Sequence, residues 1–526
     1  MSLNMLILFA LAGAGLYYIC PARARWLLLL ALSYAFYAYH GLSALPFLLL
    51  TTLSTWAGAL LIGRIGAKSK SELKEKRALL TAEEKKRLKA AAKSRQRALL
   101  LAVLLVNFGA LGVFKYADPL LDTLFRATGA ARESGLNLLL PLGISFYTFQ
   151  SAGYLLDVYN GKLLPERNPL RFALFVSFFP QLIQGPIARY DQLAQQLTEP
   201  HRFDLTRMQH GLLLMLWGFF KKKVIADRAL PLVAEVFGNQ SAYGGAAIMT
   251  AVLFYSLQQY ADFSGGIDLV TGIAQLYGVR LAPNFKRPYF AVSLGDFWRR
   301  WHISLGAWMR DYVFYPFALA KPVAALSRAA KKRFGAGVSR ALPAALGNIL
   351  VFTLVGVWHG AQMGFILWGL YNGLVLAASA LLDPAYRRFD ERHAGLVKSR
   401  GFHLLRVLRT FLVVNIGWYF DRCERAGDAF AMLARSVTDL RAAQLADSAV
   451  LARLGLTGRD WGILLIATLI LFAVSLAQER GVKVRDWVLA RPLPVRWLLL
   501  LTFILFVLGT HVISGAGTDS FMYAVF

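Results

Sequence analysis

The sequence predicts an all-α, polytopic integral membrane protein. Its 526 residues are 57% hydrophobic and have a mean hydropathy of +0.48, values outside the range of soluble globular chains. The apolar residues recur in runs of about 17–25 residues, the length that an α-helix needs to cross a bilayer. The two cysteines, Cys20 and Cys423, are too few for a disulfide framework or a cysteine-based zinc site.

The positive charge of the chain is predicted to reside in cytoplasmic loops. The formal net charge is +28, and residues 64–97 alone contain 13 Lys and Arg against 4 Glu. In polytopic proteins, Lys and Arg accumulate in the loops on the cytoplasmic side. This rule places 64–97, 321–340 and 387–409 in the cytoplasm and the N-terminus outside. It also argues against a nucleic-acid partner, because the basic residues follow the loops that flank apolar runs.

Fifteen apolar spans are predicted, and several of them are short or interrupted. The first run lacks a basic leader and is interpreted as a retained helix. Gly and Pro interrupt residues 175–190, and broken backbone at membrane depth requires surrounding protein or a water-filled cavity. We therefore expect re-entrant or half-spanning helices around a central cavity. The predicted spans are 3–20, 26–40, 44–63, 98–115, 137–158, 169–187, 208–224, 229–237, 245–262, 266–280, 342–359, 362–382, 403–421, 461–478 and 495–514.

The basic segment 64–97 is predicted to be a solvated, cytoplasmic helical hairpin. Thr81 and Glu84 have the spacing of a capping box, which would begin a helix that leads into the apolar run 98–115. A polybasic face of this kind is attracted to anionic lipid headgroups. Two roles of this insert therefore remain open. It either contacts lipid headgroups or contacts a cytoplasmic donor or partner protein.

The stretch 283–316 is too polar for a lipid-facing span and too aromatic for an ordinary loop. Ser293, with Asp296 three residues later, predicts the start of a helix. If that helix continues, His302 lies beside Trp298 and an aromatic face forms on the neighbouring side. The residues of that face are Phe297, Trp301 and Trp308. Two interpretations remain open: an interfacial helix with a tryptophan belt, and a site where His302 orients a polar substrate or a thioester.

His359 is the stronger candidate for chemistry. It lies in an apolar run, LVGVWHG, and ionisable residues inside a membrane are functional candidates by default. The pKa of histidine is near 6.5 in its ordinary range, so the imidazole can take and return a proton near neutral pH. The alternative is a histidine that only packs helices together. Gln150 and Asp262 also lie in apolar runs, where they either bond neighbouring helices or line a tunnel.

Motifs for other reaction classes are absent from the sequence. It contains no GxSxG elbow, no Walker-type loop, no HExxH and no paired CxxC. Serine hydrolase, ATPase and zinc-enzyme functions therefore have no support, and no metal site is expected.

Several motifs together resemble the membrane-bound O-acyltransferase (MBOAT) family. They are PNFKRPYFAVSLGDFWRRWHISLGAWMRDYVFYP followed by VGVWHG, with FFPQLIQGPIARYDQL, WGFFKKKVIADR and YADFSGGIDLVTGIAQLYG. The likeness covers most of the chain and is similar to the bacterial branch of alginate O-acetyltransferase membrane subunits and teichoic acid D-alanyl transfer proteins. It implies one membrane domain over 1–526, a ring of tilted helices, and a funnel and a tunnel that meet at the centre. Within it, 283–360 is the expected catalytic segment and 403–526 the C-terminal spans with an aromatic tail.

The resemblance also implies roles for individual residues. His359 of the WHG motif is expected to be the catalytic base, and His302 of RWHISL a second catalytic position that orients or polarises the acyl carbonyl. No bound cofactor is expected, and the acyl donor is acetyl-CoA or the phosphopantetheine of an acyl carrier protein. The residues predicted to bind substrate or donor are Asn284, Lys286, Arg287, Trp298, Arg299, Arg300, Trp301, Trp358, Gln150 and Asp262.

The implied reaction is transfer of a small acyl group, with acetyl favoured, to hydroxyls of an exported polysaccharide or cell-envelope glycan. The expected location is the bacterial cytoplasmic (inner) membrane, with a donor protein inside and a transferase partner outside. D-alanyl transfer from a carrier protein is the alternative within the class, and a non-enzymatic glycan or lipid transporter the alternative outside it. The C-terminal tail GAGTDSFMYAVF resembles the aromatic tails of the same relatives. Tyr523 is either an interfacial anchor or a transient carrier of the acyl group.

Overall fold

Helices account for all of the regular secondary structure in the part of the chain that the structure describes. This computed structural model describes residues 3–128, 136 and 140–512. Six of its helices are long and apolar enough to cross a membrane, which confirms the prediction of an all-α polytopic membrane protein. These six are Leu42–Glu75, Ala82–Phe125, Lys321–His359, Met363–Arg392, Gly458–Glu479 and Leu493–Thr510.

The contacts divide the chain into two compact units, each of which is described by itself. Of the described residues, those within 1–212 and 270–282 form the first unit, and those within 213–269 and 283–512 form the second. The helices that begin in the first unit are α1 (Leu3–Ile19), α2 (Arg25–His40), α3 (Leu45–Glu75), α4 (Ala82–Thr128), α5 (Ile144–Tyr159), α6 (Pro169–Ser177), α7 (Phe179–Gln184), α8 (Tyr190–Thr198) and α9 (Leu205–Phe219).

The second unit contains the segments that the sequence singled out for chemistry. A π-helical segment, Phe220–Ala226, continues α9 without a break. The helices that follow are α10 (Asp227–Gly238), α11 (Gly245–Leu276), α12 (Leu294–Arg300), α13 (Ile303–Met309), α14 (Tyr315–Ala318), α15 (Lys321–His359), α16 (Met363–Arg392), α17 (Ala394–Val397), α18 (Arg400–Arg422), α19 (Ala426–Thr438), α20 (Ser448–Arg453), α21 (Gly458–Glu479), α22 (Val484–Leu489) and α23 (Leu493–Val512).

The basic insert is a helical hairpin, as predicted. α3 runs on past its apolar part to Glu75, and α4 begins at Ala82, so that the two helices are joined by a short turn. The capping box is present, because the Thr81 backbone N–H donates to the Glu84 carboxylate (2.8 Å) and the Glu84 N–H donates to the Thr81 hydroxyl (3.2 Å). Both extensions are mostly exposed.

The predicted break between spans 245–262 and 266–280 is wrong, because α11 is continuous from Gly245 to Leu276. A glycine in this stretch allows a close helix contact. A Cβ on Gly265 would lie 2.9 Å from the Gly218 carbonyl oxygen, and a Cβ on Gly218 would lie 2.5 Å from the Gly265 carbonyl oxygen. Small residues at such a crossing let two backbones approach closely.

Three further spans differ from their predicted form. The predicted spans 208–224 and 229–237 form one helical run, because the π-helical segment joins α9 to α10. The predicted span 169–187 is divided into α6 and α7 at Phe178, whose ψ of 108° is not helical. The short α7 agrees with the expectation of helices that do not cross the membrane.

Glycines also set the close packing of α15 on α16. A Cβ added to Gly356 would collide with the carbonyl oxygen of Phe365, and one added to Gly369 would collide with that of Phe352. Gly356 precedes His359 by about one turn, so this contact also fixes where the imidazole lies.

The substitution Gly356→Ala should therefore lower stability, although alanine is normally the better helix residue. We expect a loss of about 1–3 kcal/mol, typical of overpacking, seen as a lower melting temperature of the purified protein in detergent. Gly462→Ala in α21 is the matched control, since nothing lies near its added Cβ. That variant should be neutral or gain up to about 1 kcal/mol. Equal melting temperatures for both variants would contradict the close packing.

Candidate active site

His302 lies at a break between two short helices, where the sequence predicted a continuous helix. α12 ends at Arg300, Trp301 is extended, and His302 adopts a left-handed backbone conformation (φ 47°, ψ 50°) before α13 begins. The Ser293 side chain caps α12 as predicted, since it accepts from the Asp296 N–H at 3.1 Å. The predicted common face of Phe297, Trp301 and Trp308 on one helix is therefore wrong.

Backbone pairing with residues 284–286 explains this break. The Lys286 N–H donates to the Arg300 carbonyl (2.9 Å), and the Ile303 N–H donates to the Asn284 carbonyl (3.0 Å). The Asn284 side-chain oxygen then accepts from the Ser304 N–H at 2.9 Å and satisfies the first turn of α13. His302 is held between these two anchor points, which accounts for its left-handed backbone.

His302 is buried and electrically neutral at physiological pH. Only 4% of its surface is exposed, and its imidazole packs edge-on against the ring of Phe263, with centroids 4.8 Å apart. Burial alone lowers the pKa of His302 to about 3, because a charged imidazolium would be desolvated there. A neutral histidine can accept or donate a hydrogen bond in chemistry at neutral pH.

His359 is the last residue of α15 and is surrounded by aromatic rings. Its ring centroid lies 4.9 Å from that of Trp358, 5.2 Å from Trp368 and 5.6 Å from Phe365. It is 7% exposed. Gly360, which follows, has an extended backbone and ends the helix, so the imidazole stands at the turn between α15 and α16.

The indole of Trp358 contacts the imidazoles of both histidines. Its ring lies 6.3 Å from that of His302 and 4.9 Å from that of His359. The two imidazoles, which are 57 positions apart in the sequence, therefore contact the same indole. The structure thus unites the two residues for which the sequence predicted chemistry.

Further tryptophans extend this aromatic surface. The Trp298 indole N–H donates to the Asn372 side-chain oxygen at 3.2 Å, and its ring lies 5.5 Å from Trp368. Trp368 stacks at 6.5 Å on Trp418, which lies 5.7 Å from Trp301. We name the group of His302, His359, Trp298, Trp301, Trp358, Trp368 and Trp418 the aromatic chamber.

Three members of the site were missed by the sequence analysis. Trp368, Trp418 and Asn372 lie in apolar helices, where aromatic residues are usual and gave no distinct signal. Asn372, in WGLYNGLV, is a polar residue in an apolar run, and the same criterion that selected Gln150 would have found it.

Of the four cationic residues predicted to hold an anionic donor, two form ion pairs with Glu479 and two are exposed. Arg287 and Arg300 both bind the carboxylate of Glu479 at the end of α21, with a distance of 2.9 Å for Arg300. Lys286 and Arg299 are exposed, and Arg299 is only 3.5 Å from Asp296 in a weak surface pair. The role of these four residues in holding an anionic donor stays a prediction.

Asp262 belongs to a buried ion network on the π-helical segment. The Lys222 ammonium lies 2.5 Å from Asp262 and 2.9 Å from Asp227, and Lys223 lies 3.1 Å from Asp227. All four side chains are less than 5% exposed. π-helical turns are rare and frequent at functional sites. In this structure the Asp262 carboxylate is bound by a lysine, and its predicted contact with substrate stays a prediction.

Asp421 is a further buried carboxylate, and the sequence analysis missed it. It accepts hydrogen bonds from the Tyr255 hydroxyl (2.6 Å) and the Gln259 amide (2.9 Å). It follows the aromatic run GWYF, three residues after Trp418. The sequence signal that could have identified Asp421 is a carboxylate directly after an apolar run.

Gln150 and Tyr523 are the predicted residues that remain. Gln150 belongs to the first unit, where its amide donates to the Phe175 carbonyl (2.6 Å) and its oxygen accepts from Gln181 (2.8 Å). Tyr523 lies outside the described residues. The predicted roles of both remain untested.

Comparisons with known proteins identify the family of this chain. Residues 166–329 and 332–400 match the model of the membrane-bound O-acyltransferase family. The chain is 35% identical over 452 residues to a protein named "Probable alginate O-acetylase" from Azotobacter vinelandii, which covers 84% of this chain and 79% of the relative. It is 33% identical over 364 residues to a peptidoglycan O-acetyltransferase of Helicobacter pylori, 64% of each chain.

A more distant similarity extends to a teichoic acid D-alanyltransferase of Bacillus subtilis, with 29% identity over 291 residues, 54% of this chain and 69% of the relative. The motif-based resemblance is thus confirmed by independent matches over most of the chain. This chain belongs to the membrane-bound O-acyltransferase family and is a polytopic membrane acyltransferase.

Proposed function

We propose that this acyltransferase O-acetylates hydroxyls of an exported polysaccharide or another cell-envelope glycan. The observation that carries the proposal is the contact of both histidines with Trp358 inside the aromatic chamber. The relatives named for O-acetylation of alginate and peptidoglycan support acetyl as the acyl group and a glycan as the acceptor.

The proposed reaction balances with a single proton carrier. The acceptor hydroxyl oxygen attacks the carbonyl carbon of an acetyl thioester while its proton passes to His359. The carbon–sulfur bond breaks, and the departing thiolate takes the proton from His359. The products are the acetyl ester and a free thiol, and the imidazole returns to its neutral form.

The aromatic rings around His359 contribute to transfer because they limit the access of water to the site. The rings of Trp358, Trp368 and Phe365 surround the His359 imidazole and leave it 7% exposed. Water that reached the thioester would hydrolyse it, so exclusion of water favours transfer to the acceptor. The aromatic faces also suit the apolar faces of a sugar ring.

The donor is proposed to be acetyl-CoA or an acetylated phosphopantetheine on a carrier protein, bound from the cytoplasmic side. Both carry phosphate groups, for which exposed cations are the natural first contact. Lys286 and Arg299 fit this role, because Arg287 and Arg300 are engaged by Glu479. We place the protein in the inner membrane with its N-terminus outside, and we expect an extracytoplasmic transferase to act with it.

D-alanyl transfer is the second candidate, favoured by the similarity to the Bacillus subtilis enzyme. The same thioester chemistry would serve both acyl groups. The higher identity and coverage of the O-acetylase relative favour acetyl.

Mass spectrometry of envelope glycans tests the proposal. Cells that carry the chain should release acetyl esters on mild alkaline treatment, and cells that lack it should not. D-alanyl esters in place of acetyl would select the second candidate. If cells that lack the chain export less glycan but carry the same number of esters per unit of the remaining glycan, the result would contradict an acyltransferase and indicate a transporter.

A further inference from the structure

We propose that Glu479 is a positioning residue for His302, because its carboxylate ties together the two chain segments whose pairing sets the His302 backbone. Both segments and Glu479 lie in the second unit. The tie itself requires no substrate. Its effect on transfer rests on the proposed function and on the predicted catalytic role of His302.

Two residues at this pairing have a backbone conformation that side chains rarely adopt. Arg287 (φ 47°, ψ 63°) and His302 (φ 47°, ψ 50°) are two of the three non-glycine residues with positive φ in the part of the chain that the structure describes. Arg287 directly follows the first segment, 284–286, and His302 lies inside the second, 300–303. A left-handed conformation costs an L-residue free energy, so it persists only where the surrounding contacts impose it.

The carboxylate of Glu479 reaches both segments. Nη1 of Arg300 donates to its Oε1 atom at 2.9 Å, and Nε of Arg287 donates to its Oε2 atom. The two arginine side chains are each 19% exposed and that of Glu479 is 28% exposed, so water and salt screen these pairs less than pairs on the open surface. Glu479 therefore adds a side-chain link to the two backbone hydrogen bonds that join the segments.

The place of Glu479 in α21 indicates that this link is its main contribution. Glu479 is the last residue of α21, where the helix dipole disfavours a negative charge. Phe472 lies two turns earlier on the same face of α21, and its ring stacks on that of Phe290 with centroids 5.9 Å apart. This face of α21 thus contacts the chain after Arg287 at two points, and the second point is the carboxylate.

Loss of the link is expected to change where the His302 imidazole lies. Without the negative charge, the pairing of the two segments is weaker and the left-handed conformation of His302 is less strongly imposed. A displacement of about 1 Å in a reacting group can cost about 10²-fold in rate. Glu479, which touches neither reactant, would therefore affect transfer through His302.

Hydrogen–deuterium exchange of the purified full-length protein tests the link without substrate. Glu479→Gln keeps the size of the side chain and removes its charge. We expect the backbone amides of Lys286 and Ile303, which form the pairing, to exchange at least about threefold faster, while the amides of α3 keep their wild-type rates.

Asp383→Asn is the matched control for this experiment. It removes an exposed carboxylate of α16 that lies 2.7 Å from Arg387, and it should leave both paired amides unchanged. Wild-type exchange in Glu479→Gln would overturn the proposal, whether or not the protein transfers acetyl. Faster exchange throughout the chain would also overturn it, because it would show a general loss of stability.

The kinetics of transfer separate positioning of His302 from binding of the donor. For Glu479→Gln with an acetyl thioester, we expect kcat to fall at least about fivefold and the KM of the donor to stay within about twofold. If Arg287 and Arg300 instead hold phosphates of the donor, their release from Glu479 would lower this KM at unchanged kcat. That result would overturn the proposal.

A double variant tests whether Glu479 acts through its arginine partners. Arg287→Gln and Glu479→Gln break the same link, so the combined variant should lose at least about threefold less kcat than the product of the two separate losses. A loss equal to the product would overturn the proposal. If the wild type itself transfers no acetyl, the proposed function fails while the exchange result still decides the link.

Discussion

Replacing His359 with alanine should abolish acyl transfer while leaving the protein folded in the membrane. A positioned general base contributes about 10²–10⁴-fold to rate, and the His359 imidazole packs directly against Trp358. The expected result is a loss of kcat of this size, with little change in the melting temperature. Transfer is measured with purified protein and an acetyl thioester.

His393→Ala is the matched control for this substitution. That histidine is exposed at the end of α16, and its removal should leave kcat unchanged. His359→Gln, which retains a hydrogen-bonding group but cannot carry the proton, should be as inactive as the alanine variant. Substantial activity of His359→Gln would show that His359 only packs helices together.

Replacing Lys222 with methionine should produce the largest loss of stability. The change removes the cation that lies between Asp227 and Asp262, whose side chains are 4% and 3% exposed. Breaking a buried ion pair by removing one partner costs about 3–5 kcal/mol. We expect a strongly reduced yield of folded protein and a lower melting temperature in detergent.

The double variant Lys222→Met with Asp262→Leu should recover much of that loss. It leaves Lys223 paired with Asp227 and replaces the other two charges with apolar groups, a change that is often neutral in buried pairs. Lys398→Met, at an exposed lysine, is the control and should have no effect. A double variant as unstable as the single one would contradict the pairing of Lys222 with Asp262.

The sequence predicted the membrane class, and it singled out His359 as a candidate, because both depend on local signals. Apolar runs of sufficient length identify helices such as α15, α16 and α21, and a histidine inside such a run is conspicuous by itself. The capping box at Thr81 is equally local, and the structure confirms it.

What the sequence could not predict depends on contacts between distant segments. The break at His302 arises because residues 284–286 pair with Arg300 and Ile303, and nothing in RWHISL itself requires a left-handed residue. The predicted break in YADFSGG is absent, and Gly265 in this stretch allows the close approach of Gly218 to the continuous helix α11. Trp368 and Trp418 could not be assigned to the site from the sequence, because an aromatic residue in an apolar helix has no distinguishing pattern and their contacts form only in the folded protein.

The ion-pair partners of the charged residues also could not be predicted from the sequence. Four cations near residue 290 suggested a site for an anionic donor, but Glu479, almost 180 residues later than Arg300, occupies two of them. A carboxylate so far along the chain cannot be assigned to a partner from spacing alone. Lys286 and Arg299 are the exposed cations of this group, and whether they contact a donor stays a prediction that separate mutations can test.

Transfer of isotopically labelled acetyl tests the central claim most directly. Membrane vesicles that contain the protein and its glycan are supplied with a ¹³C-acetyl thioester, and the glycan is analysed by mass spectrometry. We predict ¹³C-acetyl esters on the glycan with the wild-type protein and with His393→Ala, and none above background with His359→Ala. Equal labelling by the His359→Ala variant, at equal protein content, would contradict the assignment of the aromatic chamber as the site of acyl transfer.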